Sequence, residues 1–250
     1  MIKEELKMNE TISLLKNHAT VREYDSNYQI TNEEMDNILS AAKQAPSWQN
    51  GQAYSITIFT GDEKNKLAKL IETDPNQGSN FEIINQSNIF LMFNINLSLY
   101  GIEADFAGEI EPLLIGAVDT SLALENALIA AESLGLGTCV VGGIRRLSEE
   151  IITTHKYPKY SFPLVGLALG KPTKEKFVKP RLSDVNIFYA GESMETEDTA
   201  QIERYGKILY DFSQKVGYNS SEWQTRFVDY YNEKQFPKGT KEALKKQGLI

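Results

Sequence analysis

The side chains best suited to chemistry sit in two short basic clusters. His18 is followed by Thr20 and Arg22 within the run His18-Ala-Thr-Val-Arg-Glu-Tyr24. Together they can donate to an anion, Arg with a planar fork, Thr with a hydroxyl and His with a ring N–H. Lys179-Pro-Arg181 is a second cluster of the same kind. Taken alone, each would equally be a solvated stretch of surface. A third feature is Gly142-Gly143, directly after the β-forming run Thr138–Val141. A double glycine lets backbone approach something flat or bulky with no Cβ in the way, and it also serves simple turns. No carboxylate pair stands beside a nucleophile, and G-x-S-x-G, zinc-ligand spacing and a P-loop are all missing. The other histidine, His155, lies in the polar run HKYPKY and is expected to be solvated.

The element that must position these groups is the stretch from Pro112 to Gly143. Leu114, Ala117, Ser121, Leu124, Leu128, Ala131 and Leu134 recur at steps of three and four, which predicts one face of a long helix. Its other faces are also largely apolar, interrupted by Asp119, Glu125 and Glu132. Such a helix belongs inside a large core or an oligomer interface. The apolar runs between those charges are read as too short to cross a bilayer. Gly135 and Gly137 end the helix, and the Thr138 strand follows.

Around this element the chain reads as alternating helices and strands. Asn9 would cap a helix over 10–18, and Thr31 with Glu34 forms a capping box for a helix that ends before Pro46. Pro46–Gln52 is a loop by composition. Tyr54–Thr60, Ser87–Ile95 and Phe162–Leu169 are expected strands. Helices are expected over Lys64–Ile71, over Ser148–Thr154 with Ser148 as cap, and over Thr199–Gln214, with a loop at Asp74–Asn80. Lys171–Arg181 is basic and proline-bearing, hence a surface loop. Asp184–Tyr189 is short and apolar, 195–198 is acidic, and the tail from Trp223 is rich in aromatics. The fold class is α+β.

At 250 residues with 41% apolar content, the chain can bury a sizeable core. Its net charge of -8 argues against nucleic acid as main partner, because phosphate backbones need a basic surface. The single cysteine, Cys139, excludes an intramolecular disulfide and a cysteine metal site, and its apolar neighbours suggest a buried thiol. Residues 1–16 are charged and amphipathic and show no signal-peptide pattern, so a cytoplasmic location with no membrane contact is expected.

Four segments, in order and at characteristic spacings, carry a resemblance. They are His18 to Tyr24, Ala45-Pro-Ser47-Trp-Gln-Asn50-Gly51-Gln52, Ala127 to Gly143 (ALIAAESLGLGTCVVGG), and Gly170-Lys-Pro through Lys179-Pro-Arg181-Leu. Together they resemble the oxygen-insensitive nitroreductase and flavin reductase family, specifically its larger NADPH-preferring branch. The resemblance implies a nitroreductase-like fold, with a central mixed or antiparallel sheet flanked by helices. It places an FMN-binding domain at 1–185 and a C-terminal extension at 186–250 packing on it. It also implies a homodimer with FMN at the subunit interface and the long helix in the dimer core. His18, Thr20 and Arg22, completed by Lys179 and Arg181, would hold the phosphate and ribityl chain. Ser47, Asn50 and Gln52 of the partner subunit would line the flavin ring, with Gln77 nearby. Val141, Gly142 and Gly143 would pass close to the ring. The flavin would carry hydride from NADPH or NADH to a small acceptor such as a nitroaromatic, quinone or flavin, and no protein group would be catalytic. The alternatives are a flavoprotein reductase with a narrow acceptor, a disulfide or an azo compound, and an FMN-binding protein without turnover.

The chain departs from the family pattern twice. Position 19 is Ala where Arg is usual. The run Asn219-Ser-Ser-Glu-Trp223 lacks the arginines expected before the tryptophan, leaving Arg204, Lys207 or Arg226 to meet a 2'-phosphate. NADPH is therefore expected to be preferred over NADH less sharply than in that branch.

Overall fold

The computed structural model describes residues 9–182, 187–188, 191, 199–217 and 222–250. Most of the expected apolar segment 184–189 and all of the acidic run 195–198 lie outside them. The chain divides into two units, 1–176 with 237–250, and 177–236.

In the first unit four antiparallel strands form the sheet: β1 (Tyr54–Phe59), β2 (Ile89–Asn96), β3 (Gly137–Val141) and β4 (Ser161–Gly170). Their order is β1-β2-β4-β3. Strand alternation gives the sheet two apolar faces. Leu91, Phe93, Leu167 and Leu169 pack against helices α2 (Asn32–Lys43) and α5 (Glu111–Ser133). Phe90, Met92, Cys139, Val141 and Ala168 pack against α3 (Gly61–Glu72), α4 (Asn80–Gln86) and α6 (Ser148–Thr154). Helix α1 (Glu10–Lys16) precedes them, and α9 (Thr240–Lys246) closes a third cluster with Ile95 and Phe162. The expected α+β class with an antiparallel sheet is what forms. Cys139 is buried, as expected.

Local signals behaved as the side chains dictate. Asn9 accepts from the Ile12 N–H, and the Thr31–Glu34 capping box has both of its bonds. The proline in β4 sits where the register slips between Phe93 and Asn94, so its missing N–H costs the ladder little. Helix α4 follows directly on the expected 74–80 loop and had no periodic signal, being only seven residues long.

Four expectations need correction. Ser148 does not cap α6: Leu147 holds the cap position, and the Ser148 hydroxyl donates to the Arg145 carbonyl at 2.8 Å. His155 is not solvated. Its ring stands edge-on to Phe59 with centroids 5.1 Å apart, and burial pushes its pKa below the ordinary value. The face of α5 is also different. Thr120, Ala123, Leu124, Ala127, Leu128 and Ala131 are buried, while Leu114 and Leu134 are 49% and 37% exposed. The row from 114 to 134 advances about 3.3 residues per step, less than the 3.6 of the helix, so it winds around the cylinder and leaves the sheet. By length and composition α5 is long and apolar enough to cross a membrane, contrary to the expectation; here it packs on the sheet.

The second unit contains α7 (Thr199–Lys215) and α8 (Trp223–Asn232). Tyr205 stands edge-on to Trp223, and Trp223 to Phe227, with centroids 5.2 and 5.4 Å apart.

Candidate functional site

The segment 18–24 meets β3 at Val21 and reaches Pro172 at Tyr24. The Val21 N–H donates to the Thr138 carbonyl at 2.8 Å, and the Tyr24 hydroxyl donates to the Val21 carbonyl at 2.7 Å. A Cβ at Gly137 would lie 2.7 Å from the Val21 side chain, so only glycine lets the two backbones come this close. In an extended chain successive side chains point to opposite sides. Ala19 and Val21 are buried, whereas His18, Thr20 and Arg22 are only partly buried; the alternation ends at Tyr24, which is buried and bridges to Pro172. Ala19 therefore faces the core and does not interrupt the row of three donors.

Helix α5 fixes one member of that row. Glu132 Oε1 lies 2.9 Å from His18 Nδ1 and accepts from the Thr138 hydroxyl at 2.7 Å. The Glu132 side chain is 4% exposed. Burial alone would raise its carboxyl pKa. The His18 and Thr138 hydrogen bonds, with the charges of His18 and Lys176, outweigh that and hold it below the ordinary carboxyl range.

The loop 46–53 is held in another way. Gln49, Asn50 and Gln52 have φ of 48°, 59° and 56°, the left-handed region that costs a non-glycine residue about 1 kcal/mol or more. Asp119, in α5 and 1% exposed, spans the loop. One of its oxygens accepts from Trp48 N–H at 2.9 Å and the other from Ala53 N–H at 3.1 Å. Inside the loop, Ser47 Oγ accepts from Gln52 N–H at 3.1 Å, and the Gln52 side-chain amide donates to the Asn50 carbonyl at 3.2 Å. The Asn50 and Gln52 side chains are exposed.

After Val141, which is buried, Gly142–Leu147 form a 3-10 segment. A Cβ at Gly143 would collide with the side-chain amide of Asn80, so this glycine lets the start of α4 lie against the turn. Gln77 lies in the loop before α4. Its side-chain carbonyl accepts from Phe81 N–H at 2.8 Å and so caps α4. Arg145 donates to the Leu164 carbonyl at 2.9 Å, and Arg146 stands 3.7 Å from Asp74. The structure thus brings α4, which Gln77 caps, to Gly143, and the 18–22 segment to β3.

Lys179 and Arg181 belong to the second unit. There Arg181 donates to the Lys179 carbonyl at 3.0 Å, and the Tyr205 hydroxyl to the Pro180 carbonyl at 3.3 Å. A cleft of about 490 Å³ in the same unit is lined by Glu203, Lys207, Tyr210, Glu222 and Trp223. The Arg226 guanidinium lies 5.2 Å from the Phe227 ring centre.

Sequence reasoning noted Asp119 and Glu132 only as charges interrupting an apolar helix. That interruption was the signal: a carboxylate kept in such a helix requires buried donors, and the structure supplies them.

A sequence model of the nitroreductase family matches residues 15–87 and 103–171. The chain belongs to the nitroreductase family. Its similarity to family relatives extends over nearly the whole length. It is 32% identical to the FMN reductase [NAD(P)H] of Bacillus subtilis, with 97% of this chain and 98% of that one covered. It is also 32% identical to the oxygen-insensitive NADPH nitroreductase of Salmonella typhimurium, over 85% and 86% of the two chains. Among solved structures, the NADPH:FMN oxidoreductase of Vibrio harveyi complexed with NAD+ superposes with a TM-score of 0.83 at 27% identity, covering 96% and 98%. For a nitroreductase-family chain the donor set fits FMN. A partly exposed row of hydroxyl, guanidinium and imidazole, on a segment whose alternate residues are buried, suits a phosphate and a polyol chain.

Proposed function

We infer that this chain is an FMN-dependent NAD(P)H oxidoreductase. The observation that carries the reading is the outward row His18, Thr20 and Arg22, in a chain whose full-length relatives bear the names FMN reductase and NADPH nitroreductase. The row holds the FMN phosphate and ribityl chain, and Arg22 contributes a two-pronged contact to the anion. Ser47, Asn50 and Gln52 line the ring from a partner copy. Gly142 and Gly143 let backbone N–H groups approach it, with Val141 packed behind and Gln77 at the rim. Bound flavin supplies the two-electron chemistry, accepting hydride from NADPH or NADH and passing it to a nitroaromatic, a quinone or another flavin.

The partner copy rests on α5. Ile110, Leu114, Val118 and Leu122 are 60%, 49%, 58% and 38% exposed and lie four residues apart. With Pro46 and Trp48, the last three line an apolar groove of about 360 Å³. A contiguous apolar stripe of this kind supports a homodimer interface.

Boiling the purified protein and chromatographing the released chromophore tests the cofactor. FMN is expected; FAD, or no flavin binding after reconstitution, refutes the reading. For the coenzyme, Glu222 at the cleft would accept a ribose hydroxyl, while Lys207 would favour a 2'-phosphate. We expect kcat/KM for NADPH to exceed that for NADH by roughly ten- to hundredfold, the effect of one charge-assisted contact. A ratio below one refutes the NADPH preference.

A further inference from the structure

The His18–Glu132 pair has a chemical consequence for the anion that the row is read to hold. A carboxylate can only accept, and Glu132 is kept ionised by two donors on a buried oxygen. The hydrogen between the two groups therefore sits on His18 Nδ1. In the neutral ring this leaves Nε2 with a bare lone pair, which repels a phosphate oxygen. Only the imidazolium presents N–H at Nε2 while keeping its bond to Glu132.

We propose that His18 contacts the flavin phosphate as an imidazolium fixed by Glu132, so that binding of FMN takes up a proton from solvent whereas binding of riboflavin does not. The proposal rests on the FMN reading above and makes Glu132 a positioning residue of that site. The charged group that acts on the pair from outside it is Lys176, which lowers the Glu132 carboxyl pKa and donates to the Leu136 carbonyl at 3.4 Å. Glu132 is the acceptor that fixes the ring.

The test is to measure the affinity of the flavin-stripped full chain for FMN and for riboflavin between pH 7 and 9. This window lies above the second ionisation of a phosphate monoester, about 6. FMN affinity is expected to fall with rising pH, by up to about tenfold per unit, the limit for one linked proton. Riboflavin affinity should stay flat. Glu132→Gln should weaken FMN by about tenfold at pH 7 and leave riboflavin unchanged, because only the phosphate contact loses its oriented donor. In a His18→Asn background, Glu132→Gln should add nothing.

Equal pH slopes for the two flavins, or equal losses of both in Glu132→Gln, would overturn the proposal. If Glu132→Gln does not fold, 15N NMR of the histidines in the flavin-stripped parent decides. A His18 ring protonated at Nδ1 at pH 8 supports the inference, and one protonated only at Nε2 overturns it. Flavin binding without a slope defeats this inference alone, whereas no binding of either flavin at any pH defeats the functional reading and the inference with it.

Discussion

Helix α5 steadies two segments of the candidate site, and it does so by opposite means. The 18–24 segment carries no left-handed residue: it is bonded to β3 at Val21, with Ala19 and Val21 in the core and His18, Thr20 and Arg22 partly exposed. The 46–53 loop is strained, with three left-handed non-glycine residues and side chains bonded to the loop itself. In the first, a buried carboxylate orients one side chain. In the second, a buried carboxylate holds the backbone. Donors proposed for an anion gain from being oriented before the anion arrives, as His18 is by Glu132. A surface against a flat ring needs a shape that does not collapse when the ring is gone.

The sharpest way to break this comparison is Asp119→Ala. It leaves two backbone N–H groups without their acceptor and releases the strain they balanced. The chain should lose about 3 kcal/mol, read as a lowered midpoint in denaturant at unchanged slope. A loss below about 1 kcal/mol would mean that the loop is held by something other than α5. Next is Arg22→Ala, which tests the 18–24 segment. FMN affinity should drop by roughly ten- to hundredfold, about 1.5–3 kcal/mol, because a charge-assisted fork is lost. Parent-like affinity would remove Arg22 from the phosphate site.

A smaller effect distinguishes the two backbones directly. Gln49→Gly should stabilise the chain by about 0.5 kcal/mol, since glycine accepts φ of 48° without a steric cost. Thr20→Gly, in the 18–24 segment, should destabilise it. Urea denaturation of both variants gives the signs, and like signs would erase the contrast.

The smallest effect concerns acid. The folded Glu132 carboxyl lies below its ordinary pKa of 4.5, so its contribution is complete above that value and is lost as pH falls through the folded one. Glu132→Gln should therefore flatten the loss of stability below about pH 4.5. A curve parallel to the parent's would place the acid sensitivity elsewhere.

What was legible in the sequence was local or periodic. The Thr31–Glu34 box, the Asn9 cap and the strand expected over Ser87–Ile95 depend on neighbours a few residues away, and they formed, the strand over Ile89–Asn96. The donor row was legible as residue types, but its orientation was not, because the burial of Ala19 and Val21 requires β3, over a hundred residues later in the chain. For the same reason Ala19 read as a missing donor, although its side chain faces the core. Asp119 reaches backbone N–H groups 71 and 66 residues away, and backbone groups leave no trace in residue identity. The face of α5 misled because three-and-four steps look helical however far they drift.

The segment that meets β3 has one more consequence. In the order β1-β2-β4-β3, the last strand has no neighbouring strand on its far side, and the 18–24 segment meets it at Val21. An uncovered strand offers its unpaired N–H and C=O groups as a template for other chains. Among the described residues, Val21 on this segment occupies one of the β3 carbonyls, that of Thr138. A chain clipped near Tyr24 would lose its ligand and, beyond that, expose a sticky strand edge, so that proteolysis there would lead to insoluble protein rather than to a soluble enzyme lacking flavin.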